Sequence, residues 1–182
     1  MFRRKRKPEQ GSPTTELAPL PPRWAPAVAE AVEVRRRWHD VVAGLREGPV
    51  RDRLIELGDK IDAGVLAVHA TASRAADAER IAAALDADKV TEDYKRAKRD
   101  PSVDPALLDA LTARFTSVQR VLNALDDVEQ RLRLLDARMG AAVARGAEVA
   151  LTAGAGSEEI GQELDAVVAE LGALQSSLDS LA

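Results

Sequence analysis

The sequence predicts an all-α protein: a long antiparallel helical hairpin with two shorter helices packing at its open end, a partial four-helix bundle. Three observations carry that prediction. Ile160, Leu164, Val167, Leu171, Leu174, Leu178 and Leu181 follow one another at spacings of four and three, a seam down one side of a helix. The same pattern fills the chain from about Ala27 onward, and no stretch alternates as a strand does. Aromatic residues make up 3% of the 182 residues and charged residues 31%, so Leu, Val and Ala must fill the core.

Residues 1–25 read as a disordered basic, Pro-rich arm. Arg3, Arg4, Lys5, Arg6 and Lys7 are an unbroken basic run, and Pro8, Pro13, Pro19, Pro21 and Pro22 oppose regular helix. Residues 26–182 form the helical domain. Pro26 suits the first turn of the first helix, whose seam is Ala31, Val34, Trp38, Val41 and Leu45. Gly44, Gly48 and Pro49 end it.

The second helix starts at Pro49 with a seam of Val50, Leu54, Leu57, Ile61, Val65 and Val68. It thins into an Ala-rich stretch and resumes with Ile81 and Leu85. It stops near Asp86 or runs on to about Arg99. Asp100-Pro101 is a firm break, because a residue before proline avoids helical angles. Asp104 can cap the third helix and Pro105 can open it. Its seam runs Leu108, Leu111, Phe115, Val118, Leu122, Leu125, then Val128, Leu132, Leu135, Met139 and Val143. A phase slip near Leu125 implies a change of supercoil or of neighbour. Gly154 and Gly156 end this helix; Ser157 is the expected cap of the fourth, with Glu158 and Glu159 in its first turn.

Taken through to Arg99, the second helix would match the third at about 45–50 residues, or roughly 70 Å. The other two are about half that. The far end of the hairpin is then a bare two-helix stalk whose tip carries Lys89, Lys95, Arg96, Lys98 and Arg99. Cations at a helix C-terminus also complement its dipole. The small-residue tract Met139–Gly146 is expected to allow close packing of the first or fourth helix. Trp38 is expected in the core, Trp24 as a lid on the bundle, and Tyr94 over the hairpin turn.

No catalytic, metal or cofactor constellation is visible. The chain has no Cys, and His39 and His69 stand alone, which makes no zinc set. Gly154-Ala155-Gly156-Ser157 lacks the lysine and the preceding strand of a phosphate loop and reads as a hinge. The expectation is therefore a protein that is not an enzyme and takes no cofactor.

Charge is laid out unevenly. Residues 1–37 carry a net +5 and residues 152–182 a net −6 with no base, inside a total of −4. Such asymmetry concerns partners and solubility more than fold. No stretch is apolar enough to span a bilayer, so the expected location is the cytoplasm, with the arm as a peripheral contact to the inner membrane surface. Arg outnumbers Lys 20 to 6 and Ala abounds, as in products of high-GC bacterial genomes.

The stretch Leu122–Leu151, with Asn123-Ala124-Leu125-Asp126-Asp127 and Arg131-Leu132-Arg133-Leu134-Leu135-Asp136-Ala137-Arg138, resembles coiled-coil and helical-bundle proteins of actinobacteria. The likeness covers most of residues 30–180; it implies the helical fold and adds no site residues. The predicted outline is also similar to phage-shock-protein-A-like hairpins, which bind membranes and regulators.

The leading functional expectation is a helical scaffold or adaptor acting through protein–protein contacts, homo-oligomerisation among them, with Arg3–Lys7 as an anionic-surface contact. The alternative is nucleic-acid association through the arm or through Lys95, Arg96, Lys98 and Arg99. The acidic total and the lack of a recognition-helix motif weigh against it.

Overall fold

The computed structural model describes residues 17–152 and 156–180. Five helices account for nearly all of them: α1 (Ala25–Ala43), α2 (Pro49–Ala84), α3 (Ala87–Arg99), α4 (Pro105–Leu151) and α5 (Ser157–Asp179). No strand occurs among the described residues.

α2, α3 and α4 form the expected long hairpin, and α1 and α5 pack at its open end on opposite flanks of the α2–α4 pair. Side-chain bonds fix the directions. Arg23 and Trp24 at the start of α1 meet Glu79 on α2, whereas Trp38 near its end meets Leu54, so α1 runs against α2. Lys60 meets Asp165 and Arg74 meets Gln175, so α5 runs parallel to α2. α4, at 47 residues, is about 70 Å long and is the longest of the described helices.

The core lies in the four-helix half. Trp38, Leu54, Ile61, Val65, Leu125, Leu135, Met139, Ile160 and Leu171 are fully buried there. Each such Leu or Ile contributes about 1.5–3 kcal/mol relative to exposure. The α5 ladder is buried from Ile160 to Leu178, so it packs on its own chain. The expected slip near Leu125 falls where α4 changes neighbours: below it Arg23 and the start of α1 sit against Asp126 and Glu129.

Several sequence expectations are corrected. The arm was bounded at residue 25, yet Leu17 and Leu20 pack against the core and Trp24 is 1% exposed. A turn with Trp24 N–H donating to Pro21 O at 3.0 Å brings that segment onto the bundle, which repays its proline-limited freedom with apolar burial. In α1 Ala31, Val34 and Trp38 are buried as expected, but the next buried residue is Val42; Val41 is half-buried and Leu45 lies beyond the helix end. Of the two ends expected for the second helix, the one near Asp86 holds and the run to Arg99 does not. It ends at Ala84, and Asp86 takes left-handed angles (φ 52°, ψ 61°) while its carboxylate accepts from Lys89 N–H to start α3. Asp tolerates this conformation because its short side chain bonds the local backbone. Gly156, with φ 92°, takes the position expected of Ser157 before α5 and leaves Ser157 as the first helical residue.

Candidate interaction surface

Both flanking helices run out at about the same height on the α2–α4 pair. α5 delivers Leu178 as its last buried residue and closes with Asp179 paired to Arg74 at 3.0 Å. α1 begins at the same height. Arg23 donates to Glu79, Asp126 and Glu129 at 3.1, 2.6 and 2.8 Å, drawing α2 and α4 together under Trp24. Trp24 Nε1 donates to Glu79 at 2.8 Å, and the Arg23 guanidinium lies 4.9 Å from the Trp24 ring.

Above this level α2 and α4 continue with no other helix of the described residues on their flanks. Ile81 and Leu85, expected in the α2 seam, are 54% and 42% exposed. The seam is intact; the helices that would cover it end too soon. Ile81 and Leu85 line a groove of about 340 Å³ with Ala78, Ala82, Val121 and Leu178. Arg74, Asp77 and Asp179 stand at its lower rim.

The stalk itself is held by a thin strip. Val90, Ala97 and Val118 are buried, and Tyr94 stacks on Phe115 at 4.4 Å with the rings 11° apart. Tyr94 thus fastens α3 to α4 within the stalk and does not cover the turn.

Of the sequence-predicted site residues, Arg3, Arg4, Lys5, Arg6 and Lys7 lie outside the described residues. Lys95, Arg96, Lys98 and Arg99 are gathered in the last turns of α3, all exposed. Arg96 is 3.8 Å from Asp93, and Lys98 Nζ is 5.6 Å from the Tyr94 ring. Asp100 beside them stays below the ordinary carboxylate range, because it accepts from the Ser102 hydroxyl and backbone N–H. His39 sits 3.9 Å from Asp62 and His69 bonds Ala18 O at 3.0 Å, so the two histidines are far apart in use. Among the described residues no group of His, Cys, Asp and Glu could hold a metal ion, and no helix is long and apolar enough to cross a membrane.

Four of the six acids of α5 are met from within. Asp165 pairs with Lys60, Asp179 with Arg74, Glu170 with Arg138, and Glu163 with Arg145. The bases come from α2 on one side and α4 on the other. The negative segment is therefore a fitted key between two helices that carry the matching cations. Sequence reasoning saw the asymmetry but missed this use, and it missed the groove although the predicted bare stalk already implied uncovered seam residues.

The chain has no significant match among family models, curated proteins or solved structures.

Proposed function

We propose that the protein is a non-enzymatic helical scaffold or adaptor that works through protein–protein contacts on its stalk. The observation that carries this reading is the open groove at the stalk base. There the seat that α5 fills lower down continues along α2 and α4 with Ile81 and Leu85 uncovered. An amphipathic helix laid into such a groove is a recurrent recognition mode. Apolar side chains set side by side on an otherwise charged surface mark contact sites more often than isolated ones do.

Arg3–Lys7 supplies the second half of the proposal, recruitment to an anionic membrane surface. Each basic residue near such a surface contributes about 1 kcal/mol, so five give binding that salt can reverse.

Placing a photo-crosslinking amino acid at Ile81, and in a control at the exposed bundle residue Ala141, tests the contact surface in cells. Protein adducts are expected at Ile81 and not at Ala141. Absence of adducts at Ile81 would remove the stalk as the working surface.

A further inference from the structure

The sequence allows the second helix to end near Asp86 or to run on to Arg99, and nothing in its composition forces the first choice. Ala82, Ala83, Ala84, Leu85 and Ala87 are strong helix formers, and neither glycine nor proline stands between Gly64 and Pro101. The backbone nevertheless breaks there, at a single residue. Leu85 keeps right-handed angles (φ −80°, ψ −2°), and Asp86 is left-handed. Among the described residues Asp86 is the only non-glycine residue with a positive φ. Aspartate tolerates that conformation without preferring it.

The break leaves backbone bonds unmade. Leu85 and Asp86 N–H donate to Ala82 O and Ala83 O at 3.1 Å each, the three-residue spacing of a tightened turn. A continuous helix would carry Ala87, Asp88 and Lys89 N–H to Ala83, Ala84 and Leu85 O, and none of these three bonds is present. Lys89 N–H has a long substitute in the Asp86 carboxylate, at 3.4 Å.

What holds α3 in place is a thin strip on α4: Val90, Ala97 and the Tyr94–Phe115 stack. That strip does not require the bend. Val90 and Ala97 follow the buried Val68 by 22 and 29 residues, about six and about eight whole turns. In an unbroken helix they would continue the buried face of α2. Straightening therefore shifts the register of α3 on α4 and keeps its apolar side turned inward.

We infer that the α2–α3 joint is a two-state hinge worked by Asp86 alone. Left-handed, Asp86 separates α2 from α3; right-handed, it joins them into one helix from Pro49 to Arg99. The two ends that the sequence allows are the two states. The last turn of α2, with Ile81, Ala82 and Leu85, also walls the groove at the stalk base, so the groove has a different upper edge in each state. Anything that binds one form of that edge more tightly shifts the joint toward it. The hinge itself needs no partner in the groove.

Asp86→Ala penalises the left-handed state, whereas Asp86→Gly frees it and weakens the straight helix. The chain has no cysteine, so spin labels can be attached through cysteines at the exposed positions Asp77 and Lys95. In a continuous helix these lie on one side, about five turns and about 27 Å apart. In the full chain, electron-spin distance measurements are expected to show the component near that value growing at least fivefold in Asp86→Ala and vanishing in Asp86→Gly. Amide exchange gives an independent reading: Ala87 and Asp88 are expected to exchange several-fold more slowly in Asp86→Ala and faster in Asp86→Gly. One unchanged distance and unchanged exchange in all three chains would make the joint a fixed bend and overturn the inference. Faster exchange throughout α3 in Asp86→Ala would also overturn it, since the substitution would then fray the stalk instead of straightening it.

Discussion

Gly146 on α4 lies under the ring of Trp38 on α1, and a Cβ at Gly146 would come 2.9 Å from Trp38 Cη2. The indole is held from the other side as well. Its Nε1 donates to Leu54 O at 3.1 Å, and a Cβ at Gly58 would stand 3.2 Å from that nitrogen. Two glycines on different helices thus shape the slot that fixes α1 on the α2–α4 pair.

Gly146→Ala should therefore destabilise the fold by about 1–2 kcal/mol, because overpacking outweighs the gain of about 1 kcal/mol in helix propensity. Gly172 on α5 has open space around the same position. Gly172→Ala should raise stability by several tenths of a kcal/mol or more. Urea titrations of the two variants check the opposite signs.

Leu171 is fully buried in the α5 ladder. Leu171→Asp should cost about 3 kcal/mol or more by placing an unpaired carboxylate in the core. The loss should appear as a lowered melting temperature of the monomer. A variant that melts normally and alters only association would show that α5 is not part of the fold.

Asp136 on α4 gives a pH dependence. Burial, then its hydrogen bond with Glu30 of α1, pushes its carboxyl up to about 6, with Arg37 opposing. Its Oδ1 is buried without a partner. The folded chain therefore holds this proton more tightly than the unfolded chain does. The resulting stabilisation is complete below about pH 4, the unfolded value, and is lost as pH rises through about 6. Because the site is partly solvated, the effect should be on the order of 1 kcal/mol. Asp136→Asn should flatten the stability profile over that window and raise stability at pH 7, as denaturant midpoints measured from pH 4 to 8 would show.

Deleting residues 1–24 should lower the melting temperature by several degrees, since it removes Trp24 from the core and Arg23 from Glu79, Asp126 and Glu129. Arg23→Ala alone should reproduce part of that loss, about 1–2 kcal/mol. Thermal melts of the two variants side by side separate the ion cluster from the indole.

Replacing Arg3, Arg4, Lys5, Arg6 and Lys7 by Gln should abolish co-sedimentation with vesicles rich in anionic lipid. Raising salt should do the same to the unaltered chain. Equal binding by the neutralised variant would place membrane contact elsewhere.

Much of this architecture could be read before any coordinates, for identifiable reasons. The α5 ladder, the Asp104-Pro105 start and the place of Trp38 are local signals, each carried by spacing or by a capping residue. The small-residue tract ending at Gly146 announced a close approach, and Trp38 is what approaches. The break at Asp86 was harder, because no proline or glycine marks it; a left-handed Asp ends one helix and caps the next. The docking of Leu17 and Leu20 left no periodic trace at all. The ion pairs of α5 were hidden for a different reason: their partners are scattered over α2 and α4, and Lys60 lies 105 residues from Asp165.

That separation bears on the order in which the molecule can assemble. α5 leaves the ribosome after α1 to α4, and its ladder fills the seat shaped by α2, made about a hundred residues earlier. Until it arrives, Leu57 of α2, which lies against Gly161, is without its final cover. The hairpin and α1 can meet early through the Arg23 cluster and the Trp38 slot, whereas closure of the other flank waits for α5. Contacts of such long sequence separation slow folding. A nascent chain held at this stage would present a continuous apolar channel from the α5 seat to the stalk groove, the span over which a chaperone or a second nascent copy has its best opportunity to bind.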